Sequence, residues 1–176
     1  MIERRWMERA VELARRSLEE GTYPVGAVLT DAEGRLVAEG RNRVLPTGDP
    51  TAHAEVEALR GAAAWFRAQG GDRRRRRGEA LTLYTTLEPC LMCGGAILFA
   101  QVGAVAWGSD DPYGGSHRIL QAQSHYDGHR GRWSRSRTFA EPFPDLAREV
   151  RALMRQWEER RGRLEEFAWP EPEEAR

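Results

Sequence analysis

The chain contains no lysine: all 27 of its lysine-plus-arginine residues are arginine. Arginine-only usage is what a GC-rich coding bias leaves on a solvated surface, and it is also what phosphate recognition selects. Acidic residues match the basic ones, 27 against 27, so no global field steers the protein toward nucleic acid. Cysteine is almost absent, and the two present, Cys90 and Cys93, stand three apart, which excludes a disulfide framework spread along the chain. No apolar run approaches the roughly 18 residues of a membrane span. The first residues, MIERRWMERAVELARR, are charged and amphipathic and lack the apolar centre of a secretory signal, so a cytoplasmic protein is expected. No internal repeat is visible. The remaining composition, 40% apolar over 176 residues, suits one domain with a real core. We assign that domain to residues 1–164 and read 165–176, a mixture of acids, proline and tryptophan, as a loosely ordered tail in which Phe167 and Trp169 are the side chains able to dock.

What is present is concentrated in two short segments. His53-Ala54-Glu55 is followed by Pro89-Cys90-Leu91-Met92-Cys93. One imidazole, two thiolates and a carboxylate that need not ligate are the inventory of a catalytic zinc site with its fourth position open. The pairing H-x-E with P-C-x-x-C is the signature of zinc deaminases. Two competing readings use the same residues. A redox dithiol would use Cys90 and Cys93 without the upstream His53 and Glu55 or the Pro89 before the first cysteine. A closed structural zinc site needs a fourth ligand, and only His117, His125 and His129, in a Gly/Arg-rich segment, are left to supply one. Cys90 and Cys93 at a helix start share one face, where the helix dipole favours thiolates. His53 and Glu55, two apart, would diverge within a regular helix, so they work together only where the helix begins, with Thr51 as its expected cap. Glu55 is then the proton shuttle of a hydrolysis.

Periodicity predicts a helix over 4–20 stopped by Gly21, a hairpin of strands 25–30 and 35–39, a loop over 40–50, and a helix over 52–66. A strand over 81–85, a helix over 90–99, a strand over 102–107 and a helix from Pro144 to about Arg161 follow. Residues 109–137 are rich in Gly, Ser, His and Arg and carry no clear period, and a fifth strand can hide in the region 109–143 or after it. The order describes a mixed sheet between helices, an α/β class.

Pro24-Val-Gly-Ala-Val28, Asn42, Asp49-Pro-Thr-Ala-His-Ala-Glu55 and Tyr84-Thr-Thr-Leu-Glu-Pro-Cys-Leu-Met-Cys-Gly-Gly-Ala-Ile97 resemble the cytidine and deoxycytidylate deaminase superfamily, and within it the bacterial tRNA adenosine deaminases and the guanine deaminases. The likeness covers roughly Trp6 to Gly115. It implies a three-layer α/β/α sandwich on a five-stranded sheet, one zinc ion per subunit and a homodimer. It implies His53, Cys90 and Cys93 as zinc ligands, Glu55 as the catalytic proton shuttle, and Asn42 and the backbone N–H of Ala54 as substrate contacts. By itself Asn42 is equally a turn residue after the hairpin.

The substrate stays open between tRNA and a free base or nucleoside. Asp110 and Tyr113 stand where the tRNA enzymes carry basic side chains, Leu18 and Gly21 where they carry a bulky aromatic and a basic residue, and acidic rims repel phosphate. Against this, Arg130, Arg132, Arg135 and Arg137 interleave with Trp133, and Arg73–Arg77 form a basic run, patterns that suit single-stranded nucleic acid and equally a solvated loop. A zinc-stabilised RNA-binding domain without turnover is the remaining alternative, and an intact Glu55 argues against it.

Overall fold

The computed structural model describes residues 1–68, 78–122 and 136–169. The run Arg73–Arg77 and residues Arg130, Arg132, Trp133, Arg135, His125 and His129 lie outside the described residues.

Helix α1 (Arg4–Glu19) buries Met7, Ala10, Val11, Leu13, Ala14 and Leu18 on one stripe and ends before Gly21, whose φ of 75° suits the residue that leaves a helix. Strands β1 (Gly26–Thr30) and β2 (Leu36–Arg41) form the expected antiparallel hairpin. After them come the short helices α2 (Val44–Thr47), α3 (Ala54–Gly61) and α4 (Ala63–Ala68), strand β3 (Thr82–Leu87), helix α5 (Leu91–Ala100) and strand β4 (Ala104–Ser109). Helix α6 (His117–Ala122), strand β5 (Arg137–Ala140) and helix α7 (Pro144–Arg160) complete the described elements. The sheet order is β2-β1-β3-β4-β5. β1 pairs antiparallel with β2 and β3, while β3–β4 and β4–β5 are parallel. The sheet is therefore five-stranded and mixed, and helices cover both faces in an α/β/α sandwich. Val28, Tyr84 and Ala106 share a core with Met7, Ala10 and Leu146 of α1 and α7. Their strand neighbours Ala27, Leu29, Leu83 and Val105 pack with Ala54 and Ala58 of α3 and with Ile97 and Leu98 of α5.

Three expectations are corrected. Thr51 does not cap the helix after the loop. Its backbone N–H and its hydroxyl both donate to Asp49 Oδ1, at 2.8 and 2.7 Å, so the hydroxyl is committed to a turn and His53 takes the capping position. The helix expected over 52–66 is divided between α3 and α4. The loop over 40–50 contains α2, which Gly48 closes with a φ of 69°. The fifth strand lies within the region 109–143, as β5.

One close approach matters for the site. A Cβ on Gly40 of β2 would stand 2.3 Å from the carbonyl oxygen of Ala54 and 2.5 Å from the amide nitrogen of Ala58. Only glycine lets α3 lie this near the sheet, and α3 carries Ala54 and Glu55 at its first turn. At the other end, Phe167 packs against the main core and Trp169 is buried in it, so these aromatics dock.

Candidate active site

The site forms where two helices begin. His53 precedes α3 with extended backbone, φ −75° and ψ 152°, and Cys90 precedes α5 in the same way, φ −67° and ψ 172°. Extended backbone at His53 resolves the problem of its spacing from Glu55: the imidazole leaves the chain before the helical turn and the carboxylate leaves within it. Cys93 is the third residue of α5, which brings its sulfur back beside Cys90. α5 itself starts at the carboxyl end of β3, where sites open in sheets containing parallel strands.

His53 Nδ1 lies 3.7 Å from Cys90 Sγ and 3.6 Å from Cys93 Sγ. All three ligand atoms fall within 4.8 Å of one another. With zinc–sulfur and zinc–nitrogen bonds of usual length, the N···S edge of a tetrahedron is about 3.6 Å, so the donor set fits a zinc ion as it stands. The electrostatics agree. The Cys90 thiol is pushed down to about 4 by hydrogen bonds from Cys93 and His53. The Cys93 thiol is pushed far up by its bond to Cys90, by burial and by the charge of Glu55. The two sulfurs oppose each other's ionisation, and a cation beside them favours both thiolates. Among the described residues this cluster has no fourth protein ligand. His117 instead lies against the Trp107 ring, 5.0 Å between centroids, so no described residue closes the site as a structural knuckle would require.

Glu55 is 3% exposed. Cys93 Sγ donates toward its Oε2 at 3.4 Å and Thr85 Oγ1 donates to its Oε1 at 3.3 Å. Burial raises its carboxyl above the ordinary glutamate range, which suits a group that must both take and give a proton. Asn42 is buried and serves both of its readings. Its Oδ1 accepts from Val44 N–H at 3.1 Å, a turn contact, and from Thr22 Oγ1 at 2.8 Å, and the side chain so fixed lines the pocket. Ala54 lines it too, at the first position of α3, where N–H groups have no partner within the helix.

The pocket holds about 430 Å³, within the usual range for small-molecule sites. Its rim was not visible in the motifs. Tyr113, Met154, Glu158, Phe167 and Trp169 line it. Tyr113 stacks edge-on against Phe167 at 4.9 Å and Trp169 at 5.7 Å, and its hydroxyl donates to the carbonyl of Ala168 at 3.1 Å. Asp110, expected on an acidic rim, instead accepts from Trp107 Nε1 at 2.6 Å; its neighbour Asp111 faces the pocket. One signal for Glu158 was available: it continues the row Val150–Met154 by four residues, where an apolar side chain belongs.

Residues 1–109 match the family described as the cytidine and deoxycytidylate deaminase zinc-binding region. The tRNA-specific adenosine deaminase of Haemophilus influenzae is 40% identical over 110 residues, which is 62% of this chain and 60% of that protein. Across the curated relatives the chain spans between 18% and 68% of their length. A structure from work on A-to-I editing by tRNA:A34 deaminases superposes with a TM-score of 0.63 at 34% identity, over 77% of this chain and 96% of that one. The guanine deaminase of Bacillus subtilis superposes with a TM-score of 0.55 at 36% identity, over 68% of this chain and 75% of that one.

Proposed function

The chain belongs to the cytidine and deoxycytidylate deaminase zinc-binding family, and on that premise we propose that it is a hydrolytic nucleobase deaminase of the tRNA adenosine deaminase type. His53, Cys90 and Cys93 hold the zinc ion, and Glu55 is the catalytic residue. The observation that carries the reading is the buried Glu55 carboxyl directly beside an open three-ligand cluster.

Zinc, when bound, supplies acidification of a water toward neutral pH. The remaining work falls to the chain. Glu55 takes a proton from the attacking water, delivers it to the ring nitrogen beside the amino-bearing carbon, and then serves the departing amine. Water and the amine are consumed, and carbonyl and ammonia are the products. Thr85 fixes one oxygen of Glu55 so that the other faces the reaction. Asn42, locked by Thr22 and Val44, and the Ala54 N–H orient the heterocycle. Leu87, Met154, Phe167 and Trp169 exclude water around it.

A second reading, deamination of a free base or nucleoside, draws on the rim. Among the described residues the pocket is lined by Glu55, Glu88, Asp111 and Glu158 and by no arginine, and aromatic side chains from the C-terminal segment line it as well. The two readings separate in one assay. The zinc-loaded protein is incubated with free bases, nucleosides, nucleotides and unmodified tRNA, and the amino-to-carbonyl mass shift is read by mass spectrometry. Inosine in tRNA alone supports the first reading. Conversion of a base or nucleoside with tRNA untouched supports the second. No conversion of any substrate counts against both.

We place the protein in the cytoplasm; no helix among the described residues is long and apolar enough to cross a membrane. A homodimer is supported by α5, which presents Leu91, Met92 and Phe99 to solvent at 56%, 38% and 74% exposure, the kind of apolar patch that marks an interaction surface.

A further inference from the structure

Hydrolysis as described uses only part of the pocket, and the four carboxylates that line it are not equivalent. Glu55 is committed to the proton. Glu88 accepts from the backbone N–H of Asp111 at 3.2 Å and of His117 at 2.9 Å. Asp111 Oδ1 accepts from the backbone N–H of Tyr113 at 2.9 Å and of Gly114 at 3.0 Å. Glu158 differs from all three. It is 4% exposed, lines the pocket from α7, and its buried Oε2 accepts no hydrogen bond among the described residues. Arg161 Nη1 stands 3.9 Å from that oxygen, too far to donate to it, and donates instead to Tyr23 Oη at 3.1 Å. Trp169 lines the same pocket, 5% exposed, and its buried Nε1 has no acceptor among the described residues.

A buried acceptor and a buried donor that line one cavity, neither with a hydrogen bond among the described residues, are costly unless a ligand completes them. We propose that Glu158 and Trp169 recognise the part of the substrate that is not held at His53, Cys90 and Cys93. Glu158 accepts a hydrogen bond from a neutral N–H or O–H donor of the substrate, and Trp169 Nε1 donates to an acceptor beside it. The class that fits is an amino-heterocycle, as base or nucleoside unit, with no phosphate inside the pocket, because a buried carboxylate repels phosphate and no arginine among the described residues lines this cavity to offset it. Both residues are specificity determinants, outside the chemical step. The inference rests on the deaminase reading for the name of the substrate, and on geometry alone for the binding contact.

The test is equilibrium binding by titration calorimetry, with the zinc-loaded full chain in a Glu55→Ala background so that nothing turns over. The probes are adenine, 2,6-diaminopurine, adenosine and adenosine 5′-monophosphate. At least one of the unphosphorylated probes is expected to bind, and Glu158→Gln weakens it roughly tenfold or more, the loss of one charge-assisted hydrogen bond. Trp169→Phe, which keeps the ring and removes the donor, weakens it by a few-fold. The monophosphate binds at least tenfold more weakly than adenosine. A gain from adenine to diaminopurine that Glu158→Gln abolishes assigns the donor to the base edge; a gain from adenine to adenosine that it abolishes assigns it to a sugar hydroxyl. Binding of every probe within twofold of the Glu158 protein overturns the proposal, as does a monophosphate that binds as well as adenosine, or no binding at all. A lower melting temperature of Glu158→Gln with unchanged affinity would make Glu158 a structural partner of Arg161 instead. Glu158-dependent binding, with no conversion of any free base, nucleoside, nucleotide or tRNA by the Glu55-containing protein, would leave the contact standing and sink the deaminase reading.

Discussion

The floor and the rim of the pocket are built on opposite plans. At the floor, His53, Glu55, Cys90 and Cys93 come from two short segments at helix starts, and their polar atoms satisfy one another within 3.3 to 3.7 Å together with Thr85. At the rim, Tyr113 meets Phe167 and Trp169 of the C-terminal segment through ring edges and one hydroxyl–carbonyl bond, and Glu158 comes from α7. The rim also leaves Glu158 Oε2 and Trp169 Nε1 without a hydrogen-bond partner among the described residues. A floor whose groups are mutually fixed is preorganised for one reaction. A rim with unspent hydrogen-bonding capacity is where a substrate can be told from its relatives.

The comparison breaks most sharply at the floor. Cys90→Ala or Cys93→Ala removes one of three ligands, and zinc content by elemental analysis should fall to background together with all turnover. Rim substitutions should leave the metal untouched. Trp169→Ala removes an aromatic wall and should raise KM by about tenfold, the size of a lost aromatic stacking contact, with kcat and zinc little changed. A fall in zinc content in that variant would mean that the two regions are not separable. Smaller still is Thr85→Val, which deletes the hydroxyl that donates to Glu55 Oε1 at 3.3 Å. The expected result is a kcat lower by roughly two- to tenfold, with KM and zinc retained.

The smallest effect is expected far from both regions, at the Arg4–Asp145 pair that ties α1 to α7. The Arg4 guanidinium holds the Asp145 carboxyl down at about 2. A depressed carboxyl adds stability that is present above its unfolded pKa near 3.8 and is lost as pH falls through about 2. The pair is exposed, so Asp145→Asn should shift the melting temperature at neutral pH by about a degree or less. A large shift would show that the outer helix pair, α1 with α7, contributes more than surface screening allows.

The difference between floor and rim also explains what was legible in the sequence. A metal site needs particular elements at particular spacings, so His53-Ala54-Glu55 and Cys90 through Cys93 announce themselves within a few residues. The hairpin, α1 and α7 were legible for the same local reason, since strand alternation and helical stripes are read over short windows. The start of α3 was misread because Thr51 is a good cap in isolation, and only Asp49 beside it shows that the hydroxyl is already engaged. The rim lies beyond such reasoning. Tyr113 and Trp169 are 56 positions apart in the chain, and nothing local says that their rings meet. Glu158 left a trace, a carboxylate on the apolar row of α7, but the row alone does not say which cavity it faces. The fifth strand gave no signal of its own because β5 has only four residues, too few for an alternation to show, and pairs with β4 far from it in the chain.

The most direct test of the account is the zinc content and turnover of Glu55→Ala, measured on the same preparation with whichever substrate the mass assay identifies. The account predicts zinc at the level of the unsubstituted protein and turnover lower by roughly a hundredfold or more. Loss of zinc would make Glu55 a ligand, and turnover left intact would remove it from the chemistry; either result contradicts a metal held by His53, Cys90 and Cys93 with the proton carried by Glu55.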